Sequence, residues 1–142
     1  MTRSNNQISY LFILTIITLI INKLPLAESE ATLYEILIED EFAPGSLPMN
    51  ITCQAGGKLI AADSIRTGET MRFSYYFETS HGAPYKVKCI FVIGIRTTSY
   101  VMFDYFRDAV GGRCKEEVCN WSGMEEGLYL YYDNLYRLIY PW

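Results

Sequence analysis

Hydrophobic and polar residues alternate with a period of two through most of the chain from residue 33 to its end. Such alternation is typical of β-strands that bury one face and expose the other. In the first run, for example, Tyr34, Ile36 and Ile38 fall on the presumed core face. Nine runs predict strands at residues 33–39, 49–54, 58–62, 70–77, 85–93, 99–107, 118–122, 128–132 and 135–140. No stretch of the chain has a convincing helical period.

The sixth run makes a specific prediction about which side chains face the core. It places Val101, Phe103 and Tyr105 on one face of a strand. The opposite face would carry Met102, Asp104 and Phe106.

Turn-forming pairs separate the predicted strands. They are Pro44-Gly45, Gly56-Gly57, Thr67-Gly68, the segment His81–Pro84, Gly111-Gly112 and Asp133-Asn134. Because residues of the last pair tolerate positive φ, the pair predicts a tight hairpin. Short strands at this spacing indicate an all-β protein, either a small antiparallel β-sandwich or a rolled antiparallel sheet. We expect the sandwich, as a single domain over residues 30–142.

The start of the chain has the features of a secretory signal peptide. Arg3 precedes an apolar run at residues 8–21, and small residues follow at positions 27–31. The alternative is an anchor that stays in the membrane, but a spanning helix needs about 20 apolar residues. We therefore expect a signal peptide at residues 1–29, cleaved between 27 and 31, a secreted protein, and no stable membrane insertion after cleavage.

The chain has four cysteines, which in a secreted protein are most simply two disulfides. Each would stabilise the fold by about 2–4 kcal/mol. Four cysteines allow three connectivities, and the sequence does not choose among them. Our hypothesis pairs Cys53 with Cys89 and Cys114 with Cys119. A zinc site is disfavoured, because Cys53 and Cys89 form no close pair and His81 is isolated; we expect no metal and no cofactor.

Net charge and the missing catalytic groups exclude several functions. The formal net charge is −4, and no basic stripe is present, which disfavours binding to nucleic acid. The single histidine and the absence of a Gly-x-Ser-x-Gly motif argue against known hydrolase arrangements. Glu116-Glu117 and Glu125-Glu126 are paired carboxylates, but neighbours on a strand point to opposite faces. We expect no catalytic residues and no enzyme activity.

Two further features concern carbohydrate. Asn50-Ile51-Thr52 and Asn120-Trp121-Ser122 are glycosylation triplets, so Asn50 and Asn120 are candidate acceptors in a secreted chain. Tyr129, Tyr131 and Tyr132 could also leave an exposed stripe on which sugars stack. Ordinary packing of half-buried tyrosines is the competing interpretation.

A series of motifs, in order, resembles the plant self-incompatibility protein family, also called S-protein homologues. The motifs are Asn50-Ile51-Thr52-Cys53, Met71-Arg72-Phe73-Ser74-Tyr75, Cys89-Ile90-Phe91, Phe103-Asp104-Tyr105-Phe106-Arg107-Asp108, Cys119-Asn120-Trp121-Ser122, Glu126-Gly127-Leu128-Tyr129 and Pro141-Trp142. The resemblance covers roughly residues 33–142. It implies a small, secreted, non-enzymatic β-sandwich.

The resemblance also implies a function. Poppy members of the family act as pistil-side ligands that engage a membrane protein on incompatible pollen. We therefore expect an extracellular signalling ligand for a plant cell-surface receptor, with contacts in loops 78–84 and 107–115. Asp104 and Asp108 are candidate charged contacts; alternatively, Asp108 caps a turn and Asp104 is a solvated strand residue. A secreted defence or carbohydrate-binding module is the alternative function. Receptor identity and oligomeric state stay open.

Overall fold

The computed structural model describes residues 31–78 and 84–142, together with positions 13, 16 and 17. The predicted signal peptide, apart from those three positions, lies outside the described residues. The same is true of residues 79–83, which include His81 and most of one predicted recognition loop.

Nine strands form, one for each run of alternating residues. They are β1 (Ala31–Asp40), β2 (Met49–Ala55), β3 (Lys58–Ile65), β4 (Thr70–Glu78), β5 (Lys86–Ile93), β6 (Arg96–Asp104), β7 (Val118–Met124), β8 (Gly127–Tyr132) and β9 (Leu135–Pro141). A five-stranded sheet has the order β4-β1-β7-β8-β9, and a four-stranded sheet has the order β3-β2-β5-β6. The β-sandwich predicted from the sequence is confirmed.

One pairing departs from the antiparallel pattern. β1 runs parallel to β7, with Glu35 opposite Val118 and Asp40 opposite Gly123. The other strand pairs of the described residues are antiparallel. Alternation of side chains is the same in both orientations, so the sequence pattern carries no information about this choice.

The inward faces of the two sheets form one hydrophobic core. Tyr34, Ile36 and Ile38 of β1 are buried, as their alternation predicts. Trp121 of β7 is 1% exposed, and its ring stacks on Tyr140 with centroids 5.9 Å apart. Aromatic contacts of this kind add to the hydrophobic burial, so Trp121 is a main component of the core.

The predicted alternation is wrong at one point in β6. Met102 and Phe103 are adjacent, yet both are completely buried. The register between β5 and β6 shifts at Val87 and Lys88, which pair with Phe103 and Val101 and leave Met102 without an opposite residue. Such a β-bulge rotates one residue of the strand, so both side chains enter the core.

The sixth predicted strand is also too long. β6 ends at Asp104, and a single π-helical turn, Tyr105–Val110, follows it. Gly111 ends the turn and donates its N–H to the carbonyl of Phe106. A side chain at Gly111 would lie 2.2 Å from the carbonyl oxygen of Arg107, so glycine is required there.

Both disulfides have the pairing that the sequence hypothesis favoured. Cys53 and Cys89 are directly opposite in β2 and β5, with Cα atoms 4.0 Å apart. This bond therefore links neighbours within one sheet. Cys114 and Cys119 close a short turn before β7, in which Glu116 and Glu117 have φ angles of 52° and 60°.

The hairpin between β8 and β9 is as tight as predicted. Asp133 and Asn134 have φ angles of 54° and 62°, and Tyr132 pairs directly with Leu135. Two residues with positive φ match the twist of the flanking strands.

Candidate recognition site around the π-helical turn

A buried ion pair forms the base of the π-helical turn. The Arg107 Nε atom lies 2.6 Å from Asp108 Oδ1, and its Nη2 atom lies 2.7 Å from Oδ2. Asp108 is completely buried. Burying an ionised carboxylate is energetically costly unless it is paired and hydrogen-bonded. The two parallel contacts satisfy that requirement and fix the guanidinium plane.

Arg107 also ties the turn to two strands. It donates to the carbonyl of Val101 in β6 at 3.0 Å and to the hydroxyl of Tyr140 in β9 at 2.9 Å. The Tyr140 hydroxyl in turn donates to Val101 at 2.9 Å. Burial lowers the pKa of Arg107, but hydrogen bonds and charge from Asp108, with a smaller contribution from Tyr140, raise it above its usual range. Arg107 is therefore a permanent cation.

Asp104 begins the turn as its N-cap. Its Oδ1 atom accepts hydrogen bonds from the backbone N–H of Phe106 at 3.1 Å and of Arg107 at 3.4 Å. Its own N–H donates to Asp108 Oδ2 at 2.7 Å. Lys86 lies 3.4 Å from Asp104 Oδ2. An N-cap of this kind typically contributes about 1 kcal/mol.

These contacts correct the candidate roles of both aspartates. Asp108 is completely buried, so it is not a surface contact, and it does more than cap a turn because it pairs with Arg107. Asp104 is neither a free surface charge nor a solvated strand residue, since it caps the turn and its side chain is only 16% exposed. Both aspartates position the turn.

The residues that the turn exposes are apolar. Phe106 is 65% exposed and Val110 is 68% exposed. Tyr85, which is 45% exposed, meets the Phe106 ring edge-on with centroids 5.7 Å apart. Below them, Tyr105 stacks on Phe77 at 4.0 Å. We refer to Tyr85, Phe106 and Val110 as the apolar tip.

Sequence reasoning missed the apolar tip, although a signal for it was available. An aspartate at an N-cap followed by a Gly-Gly pair is a helix start and stop signal. Asp104 and Gly111-Gly112 fit that pattern. The alternation of the preceding strand continues as far as Arg107, so it predicted a longer strand and not a helical turn.

The two glycosylation triplets lie on opposite outer faces. Asn50 is exposed on β2 of the four-stranded sheet. Asn120 is half-buried on β7, and Ser122 of the same triplet is completely buried. Modification of either asparagine stays a prediction.

The described residues contain neither a candidate metal site nor a helix that could cross a membrane. They contain no group of three His, Cys, Asp or Glu side chains that could hold a metal ion. Within the same part of the chain, no helix has the length and apolarity to cross a membrane.

Comparison with known families identifies the class of protein. The family model of plant self-incompatibility protein S1 matches residues 35–142, so the chain belongs to this family. The match includes the π-helical turn, both disulfides and the final strand. The family is not known for enzymatic activity. A search of curated proteins gave no match.

Proposed function

We propose that the protein is secreted and acts as an extracellular signalling ligand for a plant cell-surface receptor, in self-incompatibility (pollen rejection) or in development. Membership of the self-incompatibility family supports the class of function. Two disulfides support an oxidising compartment, because such bonds rarely persist in the cytosol. The signal-peptide features of the first 29 residues point to the same compartment.

The exposed apolar tip is the observation that carries the proposal. The buried cores of protein interfaces are enriched in aromatic side chains. Phe106 is an aromatic side chain that is largely exposed, and Val110 of the same turn adds to the apolar surface. Single exposed hydrophobic residues such as Ile95 are normal on a protein surface, whereas Phe106 lies against the exposed Tyr85 in a cluster with Val110, and clustered apolar side chains mark interaction sites.

Preorganisation makes the tip suited to binding. Ordering a loop or side chain on association reduces affinity. Here the buried pair of Arg107 and Asp108 and the cap at Asp104 hold the turn before any partner arrives. The polar network therefore serves recognition indirectly, by fixing the backbone that presents Phe106.

Cell binding of labelled protein tests the proposal. Phe106→Asp, and separately Val110→Asp, should weaken saturable binding to plant membranes by about tenfold or more, the loss that follows truncation of an interface anchor. Neither change should lower the melting temperature appreciably, since both side chains are exposed.

Ile95→Asp is the matched control. Ile95 is fully exposed in the turn between β5 and β6 and is not part of the tip. If Ile95→Asp weakens binding as much as Phe106→Asp, or if neither tip variant has an effect, the tip is not the recognition site.

A further inference from the structure

The outer face of the five-stranded sheet carries a second cluster of exposed rings. Register places Ser122 opposite Tyr129, Tyr129 opposite Leu138, and Tyr131 opposite Tyr136. These side chains point away from the core, because their neighbours Leu128 and Leu130 are buried in it. We refer to Tyr129, Tyr131, Tyr136 and Leu138 as the tyrosine face.

The tyrosine face has no cover within the described residues. Tyr131, Tyr136 and Leu138 are 40%, 43% and 43% exposed. The rings of Tyr131 and Tyr136 have centroids 5.1 Å apart and are tilted by 55°. A flat sugar ring stacks best on one plane, so this tilt does not favour a neutral carbohydrate.

Two carboxylates border the tyrosine face. Glu39 is opposite Ser122 in register and so lies on the same face, and Glu41 follows one residue after β1. The Glu41 N–H donates to the carbonyl of Gly123, the residue after Ser122, at 2.9 Å, which places Glu41 beside the end of β7. Burial, followed by the charges of Glu41 and Glu39, raises the pKa of the Tyr136 hydroxyl. No ion pair among the described residues includes either glutamate.

The cations of this sheet are engaged elsewhere. Arg72 pairs with Glu35 at 3.1 Å, and Arg137 lies beside Asp133 at 3.8 Å. Arg137 is also on the opposite side of the sheet, because it is opposite Leu130. The negative charge of Glu39 and Glu41 is therefore not balanced on the tyrosine face.

A buried polar group adds an independent sign that the face is incomplete. The Ser122 hydroxyl is on this face by register, is completely buried and has no hydrogen-bond partner among the described residues. Buried polar atoms are nearly always satisfied, and an exception calls for an explanation. A ligand group that reaches between the rings would supply the missing partner.

We propose that the tyrosine face binds a cationic, arginine- or lysine-rich segment of a partner protein. Aromatic faces attract cations within about 6 Å of the ring centroid, and the adjacent carboxylates complement the same charge. A second copy of this chain is a poor occupant, because a two-fold contact would bring the same unbalanced carboxylates together. The face is distinct from the apolar tip, so this inference goes beyond the proposed receptor contact.

Calorimetric titration of the secreted, disulfide-bonded chain tests the proposal. The probe is a peptide of alternating arginine and glycine, and the comparison peptide has glutamate in place of arginine. We expect saturable binding of the arginine peptide only, weakening as salt is raised. Tyr131→Ala and the double change Glu39→Gln/Glu41→Gln should each weaken binding about tenfold, equivalent to about 1.4 kcal/mol.

The control is Glu116→Gln/Glu117→Gln, which removes the same charge from the turn closed by Cys114 and Cys119. It should leave the affinity unchanged. An equal loss in this control would reduce the effect to net charge and overturn the proposal. Self-association that Tyr131→Ala abolishes would also overturn the proposal, as would binding of neutral glycans at this face. Asn120 lies two residues before Ser122 on β7 and so shares this face, and full glycan occupancy of Asn120 would overturn the proposal too. Phe106→Asp should retain peptide binding, which separates this test from that of the receptor contact.

Discussion

Two aspartates are completely buried at opposite ends of the sandwich, and their surroundings differ. Asp108 accepts hydrogen bonds from the guanidinium of Arg107 and the backbone of Asp104. Asp40, the last residue of β1, accepts only from the N–H of Phe42, at 3.0 Å through Oδ1. Its Oδ2 atom has no hydrogen-bond partner in the part of the chain that the structure describes.

The difference shows two ways in which a fold accommodates a buried carboxyl group. At Asp108 the negative charge is compensated by a buried cation. Asp40 has no ion pair within the described residues, so burial raises its pKa, the Phe42 N–H opposes that shift, and the charge of Glu69 adds to it. The apolar tip lies at the Asp108 end, where the ion pair with Arg107 holds the π-helical turn in place. At the Asp40 end, the raised pKa predicts a stability that depends on pH.

The largest expected effect is the loss of the compensated carboxylate. Asp108→Ala leaves Arg107 partly buried without its counter-charge and should lower the free energy of unfolding by about 3–5 kcal/mol. Thermal and denaturant unfolding would measure it. Asp63→Ala, an exposed aspartate in β3, should change stability by less than about 0.5 kcal/mol. Similar losses in the two variants would show that Asp108 is not a structural anchor.

The two disulfides should stabilise the fold to different extents, because they close loops of different length. Replacing Cys114 and Cys119 with alanine should cost roughly 2 kcal/mol, because the bond closes only a short loop. The same change at Cys53 and Cys89, which are 36 residues apart, should cost roughly 4 kcal/mol. The reverse order would mean that strain or residual unfolded structure outweighs loop entropy.

A conservative change at Arg107 tests geometry apart from charge. Arg107→Lys keeps the cation but loses the two-pronged contact with Asp108, so stability should fall by about 1–2 kcal/mol. Receptor-cell binding should also weaken, because the turn that presents Phe106 loosens. Arg137→Lys, at an exposed pair, is the control in unfolding and binding assays. Full activity and stability of Arg107→Lys would contradict the preorganisation argument.

The smallest expected effect is a change in stability caused by Asp40, and this change depends on pH. The pKa of Asp40 is higher in the folded than in the unfolded state, where it is about 3.9. The stability linked to protonated Asp40 is thus present below that pH and is lost as pH rises through the folded-state pKa. Asp40→Asn should be more stable than wild type at neutral pH and similar at pH about 3. Melting temperatures across this range would show it, and a less stable variant at neutral pH would refute it.

Much of the sandwich was predictable because a strand that buries one face has alternating hydrophobic and polar residues. The alternation of Tyr34, Ile36 and Ile38 identified β1 and its core face, and Asp133-Asn134 identified the last hairpin. Where the backbone departs from regular strand geometry, alternation fails. Met102 enters the core through a bulge that depends on the partner strand, and no local signal reveals it.

The candidate site was less predictable, for a related reason. Receptor contact through loop 107–115 stays a prediction, and the sequence did not reveal the N-cap made by Asp104 or the buried ion pair made by Asp108. Among the described residues, the side-chain hydrogen bonds of the two aspartates lie within residues 104–108, but the Arg107 guanidinium that pairs with Asp108 also donates to Tyr140 of β9, which is distant in the sequence. The sequence shows the charges of this segment, whereas the burial of Asp108 depends on the tertiary structure.

The parallel pairing of β1 with β7 also constrains how the domain assembles. β1 lies between β4 and β7, so the first strand of the domain needs a neighbour from near its other end. A chain that stops before residue 118 would leave one whole edge of β1 unpaired and would expose Ile36, Ile38 and Tyr34. Completion of the five-stranded sheet must therefore wait for nearly the entire polypeptide.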